Sequence, residues 1–170
     1  EQFEEGNFGA IYRVHDTVDD RPMALKVLKP GPHDEDEVRK RFEREARLIY
    51  KLDHPHIVKV RYYGETASGL PYMALELLHG TNLKRLLRSG FELRDDQIQR
   101  IARETVSALQ AAHEVGIVHR DLKPANVFLV DDDARGHVKV LDFGFAKSLD
   151  DKNDITNTGT LVGSPAYMAP

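Results

Sequence analysis

Residues 119–126 read His119-Arg120-Asp121-Leu122-Lys123-Pro124-Ala125-Asn126, and sixteen residues past Asn126 the chain reads Asp142-Phe143-Gly144. Working outward, the residues before this stretch read as a long amphipathic helix over Asp95–Val115. Its apolar stripe is Ile98, Ile101, Ala102, Thr105, Val106, Leu109 and Ala112, and Gly116 suits its C-terminal cap. Short β-prone runs surround the motif at Ile117–Val118, Val127–Val130 and His137–Leu141, so Asp142 stands at the end of a predicted strand. Asp131-Asp132-Asp133 reads as a solvated turn between two of those runs. Farther upstream, Thr81–Arg88 reads as a short helix with Thr81 as N-cap.

The first part of the chain is strand-rich. Phe8–Val14 and Met23–Leu28 are β-prone, and the turn residues 15–21 between them predict an antiparallel hairpin. Pro30-Gly31-Pro32 breaks the chain, and two more strands are expected over Ile57–Tyr63 and Pro71–Leu78. Glu35–Leu52 between them reads as a helix whose seam is Val38, Phe42, Ile49 and Leu52. Glu45 falls in the middle of that seam, and an inward carboxylate is costly unless it is paired, so this helix calls for a buried cation. The alternative is a glutamate that snorkels to the surface. Strands around one helix, followed by a mostly helical part, make an α+β chain.

The 170 residues suit one domain or a large piece of one. At 41% hydrophobic in periodic runs, the chain is not of the disordered class. With Lys+Arg 24 against Asp+Glu 28 the net charge is −4, which argues against bulk attraction to nucleic acid or anionic lipid. No cysteine is present, which removes disulfides, thiol nucleophiles and cysteine-ligated metals. His54-Pro55-His56 invites a metal reading, but neither a cysteine nor a third histidine lies nearby in sequence, and a structural role is preferred. The longest uncharged stretch, Ile155–Pro170, is too short and polar to span a bilayer.

In order, 119–126, Asp142-Phe143-Gly144 and the closing Gly163-Ser164-Pro165-Ala166-Tyr167-Met168-Ala169-Pro170 resemble the catalytic loop, metal-binding motif and activation-segment end of eukaryotic-type (Hanks-type) serine/threonine protein kinases, bacterial ones in wording. Seven fixed positions match by chance on the order of once in a billion starts, which sets aside a polar loop that only caps turns. The resemblance implies a bilobal fold, with an N-terminal antiparallel sheet bearing one helix and a C-terminal, mostly helical lobe that is incomplete here. Residues 1–78 would be the N-lobe and hinge, and 79–170 the first part of the C-lobe.

The roles implied follow the chemistry of phosphoryl transfer, which needs positioned charge more than covalent catalysis. Asp121 would be the base, Lys123 would face the transferring phosphate, and Asn126 and Asp142 would supply oxygen ligands to Mg²⁺. Lys26, in Met23-Ala24-Leu25-Lys26, resembles the lysine that anchors the α/β-phosphates, and the family pairs it with a helix glutamate, here Glu45. Gly6 and Gly9 resemble the end of the glycine-rich loop over the phosphates. Glu4 stands where that pattern has its first glycine, a departure that could weaken ATP binding or only remodel the turn. Leu75 resembles the gatekeeper residue, backbone groups of Glu76 and Leu78 would bind the adenine edge, and Ile11, Ala24 and Phe128 would sandwich the ring. Ile49, Val60, His119 and Phe143 match the family's internal stack of side chains.

The expected activity is transfer of the ATP γ-phosphate to Ser or Thr of protein substrates, with self-phosphorylation of the activation segment. Lys123 in Asp-Leu-Lys-Pro and Ser164 in Gly-Ser-Pro resemble the serine/threonine branch. Arg120 would pair with a phosphate on Thr156, Thr158 or Thr160. The resemblance leaves room for a homodimer in which copies phosphorylate one another. The alternative is a weak or inactive nucleotide-binding pseudokinase or scaffold, supported by Glu4 alone. No nucleic-acid partner and no membrane segment within these residues is expected, and a cytoplasmic location is, with any anchor lying outside them. Both ends read as cut from a longer kinase domain, so 1–170 alone is expected to be poorly stable and inactive, with part of the 95–115 apolar stripe exposed.

Overall fold

The structure, a computed structural model, describes residues 2–6, 9–28, 35–131 and 137–143; for 2–6, 35–38, 41 and 45 it describes the backbone alone. The chain divides into two compact units, one of Glu1–Asp53 with Lys59–Leu77, the other of His54–Val58 with Leu78–Pro170.

The first unit is a five-stranded sheet and one helix. The strands are β1 (Gln2–Gly6), β2 (Gly9–Asp16), β3 (Arg21–Leu28), β4 (Val60–Glu65) and β5 (Pro71–Glu76), and the helix is α1 (Glu35–Lys51). Strand order is β1-β2-β3-β5-β4, with every neighbour antiparallel. The expected hairpin is β2–β3. Its turn is closed by Asp16, whose Oδ1 accepts the Val18 N–H at 3.0 Å, the local bond that makes Asp a turn former. At the β4–β5 turn Thr66 Oγ1 accepts the Leu70 N–H at 3.0 Å. α1 buries Phe42, Ala46 and Ile49 alongside Met23, Val60, Met73 and Ala74. Leu52 lies one residue past the helix, half-buried.

The second unit holds α2 (Leu83–Arg88), α3 (Asp95–Glu114), a 3₁₀ turn (Pro124–Asn126) and a three-stranded antiparallel sheet, β6 (Gly80–Asn82), β7 (Val127–Val130) and β8 (His137–Val140), in that order. Three sequence expectations fail among these elements. The run 57–63 is not one strand. Ile57 instead makes a parallel bridge to Val140, with Val58 N–H to Val140 O at 3.1 Å and Val140 N–H to His56 O at 2.8 Å, and β4 begins only at Val60. Ile57 and Val58 are buried against the second unit, so burial splits a run that propensity alone would join. Thr81 does not cap α2: it pairs with Leu129 in β6–β7, and Asn82 Oδ1 accepts the Arg85 N–H at 2.8 Å. Ile117–Val118 forms no strand.

The stripe of α3 is also narrower than expected. Ile101, Thr105, Ala108 and Ala112 are buried, whereas Ile98 is 49% and Val106 61% exposed and Ala102 is exposed too. The buried line is dominated by small side chains, which lets the helix approach β8 closely. Among the described residues no helix is long and apolar enough to cross a membrane.

Candidate active site

The motif loop begins where α3 stops. Gly116 adopts φ +79°, and the N–H groups of Gly116 and Ile117 return to the carbonyls of His113 and Ala112, each at 2.9 Å. A left-handed residue at this point costs glycine little and reverses the chain, so Ile117 turns back into the core.

His119 follows, 2% exposed. Its Nε2–H donates to Leu141 O at 2.8 Å, because a carbonyl can only accept. Its Nδ1 accepts the Asp121 N–H at 3.3 Å. Both bonds suit the neutral Nε2–H tautomer, and burial pushes the imidazole below its ordinary pKa. One ring thus ties the loop at 119–121 to the strand end at 141. The ring also packs on Phe143, with centroids 4.8 Å apart.

Asp121 is fixed from two directions. Lys123 Nζ lies 2.7 Å from its Oδ2, and Asn126 Nδ2 donates to its backbone carbonyl at 2.9 Å and to Oδ2 at 3.5 Å. Pro124 opens the 3₁₀ turn, whose Asn126 N–H bonds Lys123 O at 2.9 Å. Asn126 is buried, and its carbonyl accepts the Leu141 N–H at 2.8 Å. Two cross-links, His119 to Leu141 and Asn126 to Leu141, therefore hold Asp142 in register with Asp121. Arg120 (φ 57°) and Asp142 (φ 50°) both take left-handed backbone, which non-glycine residues reach at a cost of about 1–2 kcal/mol each. Arg120 is exposed and Asp142 half-buried.

In the first unit the strands set a second group of expected residues in register. Lys26 on β3 stands between Ile11 on β2 and Met73 on β5, and Ala24 between Arg13 and Leu75. Lys26, Ala24 and Ile11 are half-buried. Gly6 pairs with Gly9, and a Cβ on Gly9 would sit 2.5 Å from Val27 O. Glu76 is held by Lys59, whose N–H reaches Glu76 Oε1 at 2.8 Å and whose carbonyl accepts the Glu76 N–H at 3.0 Å. In the second unit Phe128 faces Asn82 across β6–β7, and Leu78 is half-buried.

The protein kinase domain family matches residues 1–170 of this sequence from end to end. This chain belongs to the protein kinase family. The serine/threonine-protein kinase pkn3 of Myxococcus xanthus is 35% identical over 172 residues, covering 98% of this chain and 31% of that protein. The kinase domain of Mycobacterium tuberculosis PknI, in its crystal structure, superposes with a TM-score of 0.75 at 33% identity, covering 85% of this chain and 58% of that one. A crystal structure of Rad53 in complex with AMP-PNP gives a TM-score of 0.73 at 28% identity, covering 85% of this chain and 37% of that one. The chain spans between 22% and 31% of the length of the first curated kinases it matches.

Within the kinase frame, Asp121, Lys123, Asn126 and Asp142 share one cross-linked pair of loops, and Lys26, Gly9, Ile11, Ala24 and Glu76 belong to the other unit. The backbone of Glu45 lies in α1, and its side chain is outside the described residues, as are Thr156, Thr158, Thr160 and Ser164. The Glu4 departure coincides with a register shift in β1, between Gln2 and Glu4, so the backbone there is irregular in pairing while Glu4 itself pairs with Ile11. The Leu141 main chain, the pivot of both cross-links, was missed in the sequence because a backbone carbonyl and N–H carry no side-chain signature. Among the described residues no group of three or more His, Cys, Asp or Glu could hold a metal ion by itself.

Proposed function

We propose that this kinase chain belongs to an ATP-dependent serine/threonine protein kinase. The observation that carries the reading is the Asp121 carboxylate held at 2.7 Å from the Lys123 ammonium, with Asn126 anchored to the Asp121 carbonyl. The base has a fixed direction and a cation stands beside it where phosphate charge develops. Asp121 Oδ accepts the proton of a Ser or Thr hydroxyl as that oxygen bonds to the γ-phosphorus and the bond to the β-phosphate oxygen breaks, its electron pair leaving with ADP. Lys123 offsets charge on the transferring group.

The donor set suits Mg²⁺. Asn126 spends Nδ2 on Asp121, so its Oδ1 would be the atom to hold the cation, and Asp142 would add a carboxylate. Both are hard oxygen donors of the kind Mg²⁺ takes beside phosphate oxygens. When bound, Mg²⁺ neutralises phosphate charge. AMP-PNP in the Rad53 structure supports a nucleotide as ligand. Lys26, Gly6, Gly9, Ile11, Ala24, Glu76, Leu78 and Phe128 are the nucleotide contacts of this reading, with Glu45 as the partner of Lys26. Since the Glu76 N–H is taken by Lys59 O, adenine would meet its carbonyl. Thr156, Thr158 and Thr160 are the self-phosphorylation sites, with Arg120 as phosphate partner.

The test uses the whole protein, stripped by phosphatase, then given Mg-ATP while phosphates are counted by mass spectrometry, with Asp121→Asn beside it. Wild type gains phosphate on Thr156, Thr158 or Thr160, and Asp121→Asn slows by about 10²–10⁴-fold. Tight ATP binding without phosphate in either protein would favour the pseudokinase reading, and equal phosphate in both would reject Asp121 as the base.

A further inference from the structure

The segment His54–Val58 groups with the second unit, although the residues on both sides of it in sequence, Asp53 and Lys59, belong to the first. What fastens it is a cluster of imidazoles. His54 Nδ1 accepts the His56 N–H at 3.2 Å, and its Nε2 lies 3.2 Å from Ser107 Oγ on α3. An N–H can only donate, so His54 Nδ1 carries no proton and the neutral ring donates through Nε2 to Ser107. His56 is built the opposite way. Its Nδ1 donates to Val138 O on β8 at 3.0 Å, with Glu104 Oε2 of α3 3.7 Å away. Glu104 Oε2 also accepts the Val138 N–H at 2.8 Å.

Titratable groups face the segment from two elements. From β8, His137 stacks against His56 at 6.5 Å, and Lys139 donates to Ile57 O at 3.3 Å. From α3 comes Glu104, and from the segment itself His54 and His56, whose rings lie 5.6 Å apart. The neighbouring Asp53 is engaged by Lys59 at 2.6 Å. Among the described residues Glu104 is the carboxylate that faces His56. Burial, then the charges of His56 and Lys139, hold His54 below its ordinary pKa.

We propose that His54–Val58 is a proton-released strap, fastened to α3 and β8 by neutral His54 and loosened when His54 takes a proton on Nδ1 in mild acid. The added proton faces the His56 N–H, so an acceptor becomes a donor opposite a donor. It also places a cation beside Lys139 and His56. The sign follows from linkage: a histidine whose pKa is depressed in the folded state contributes its full stability above the unfolded value near 6.5, and loses it as pH falls toward the folded value.

The experiment is amide hydrogen exchange of the whole protein at pH 7.5 and 5.5, with labelling times scaled for the intrinsic pH dependence of exchange. The reporting amides are Val58 and Val140, whose bonds the strap makes, and Val138, whose N–H is held by Glu104 beside it. Each unit of depression is worth up to tenfold in the opening constant, and a rise of about threefold or more at pH 5.5 is expected in wild type. His54→Asn keeps a side-chain oxygen for the His56 N–H, as in an Asx turn, and cannot titrate, so its acid rise is expected to shrink to the part that His119 still contributes. Glu104→Gln keeps the acceptor for Val138 and removes the carboxylate that faces His56, so the acid rise is expected to grow while its onset stays near the unfolded value. An acid rise in His54→Asn as large as in wild type, no rise in wild type, or a smaller rise in Glu104→Gln than in wild type overturns the strap.

Discussion

Asp121 owes its placement to Lys123, Asn126 and the His119–Leu141 bond. The motif letters were legible because each side chain supplies a charge or an amide that the chemistry needs. The backbone pivot at Leu141 was not, and neither was the Glu76 side chain's hold on the Lys59 N–H. Gly9 was legible for a different reason than the one found. The sequence reading ties it to phosphate, whereas the strands supply a steric reason that holds without any ligand. In Gly9→Ala the new Cβ would lie 2.5 Å from Val27 O, a backbone atom of β3 that cannot rotate away. The two strands must part locally, and a loss of about 1–3 kcal/mol is expected. Gly64→Ala meets only the Tyr72 side chain, nearest at Oη, 3.4 Å, which is ordinary contact, and serves as the paired control. Urea melts of both variants in the whole protein check this; equal midpoints would show that β2 and β3 separate at little cost.

At the level of elements, strongly periodic segments were readable and junctions were not. Thr81 and Asn82 are both good cap residues, and composition cannot choose between them. Pairing of Thr81 with Leu129 extends β6 by one residue and passes the cap to Asn82. Asn82→Ala is therefore expected to cost about 1 kcal/mol through the exposed Arg85 N–H, and Thr81→Ala clearly less on the cap's account. Thermal melts of the two variants decide it; a larger loss in Thr81→Ala would return the cap to Thr81. α3 shows the same limit of local information. Its period was plain, but two adjacent apolar lines share one helix. Only β8 selects the line through Ile101, Thr105, Ala108 and Ala112 over the one through Ile98, Ala102 and Val106. Likewise Ile57 and Val58 continue a β-prone run in sequence and leave it in space, because Val140 offers them a buried partner.

At the scale of the whole molecule, the α+β order and the family were legible from three motifs in register. The way the chain passes between units at His54 and Val58 was not, since it depends on distant residues of β8 and α3. That division has a consequence for acid stability. The second unit holds two imidazoles neutral, His119 by burial and His54 by burial beside His56 and Lys139. The first unit holds Asp16 charged, lowered chiefly by the Val18 N–H it accepts. The signs differ. The depressed histidines leave the unfolded chain binding more protons, so the second unit weakens as pH falls below about 6.5. Asp16 contributes its stability above the unfolded carboxylate value near 3.9 and loses it only as pH falls through its lower folded value. Between about pH 6 and 4 the second unit should therefore open first. Scaled amide exchange of residues 101–112 in α3 should rise in that window while residues 10–27 of β2–β3 stay protected. In His54→Asn the α3 rise should shrink but persist, because His119 still titrates. Simultaneous opening of both segments would mean that the two units unfold as one and that their different titrating groups do not set the order.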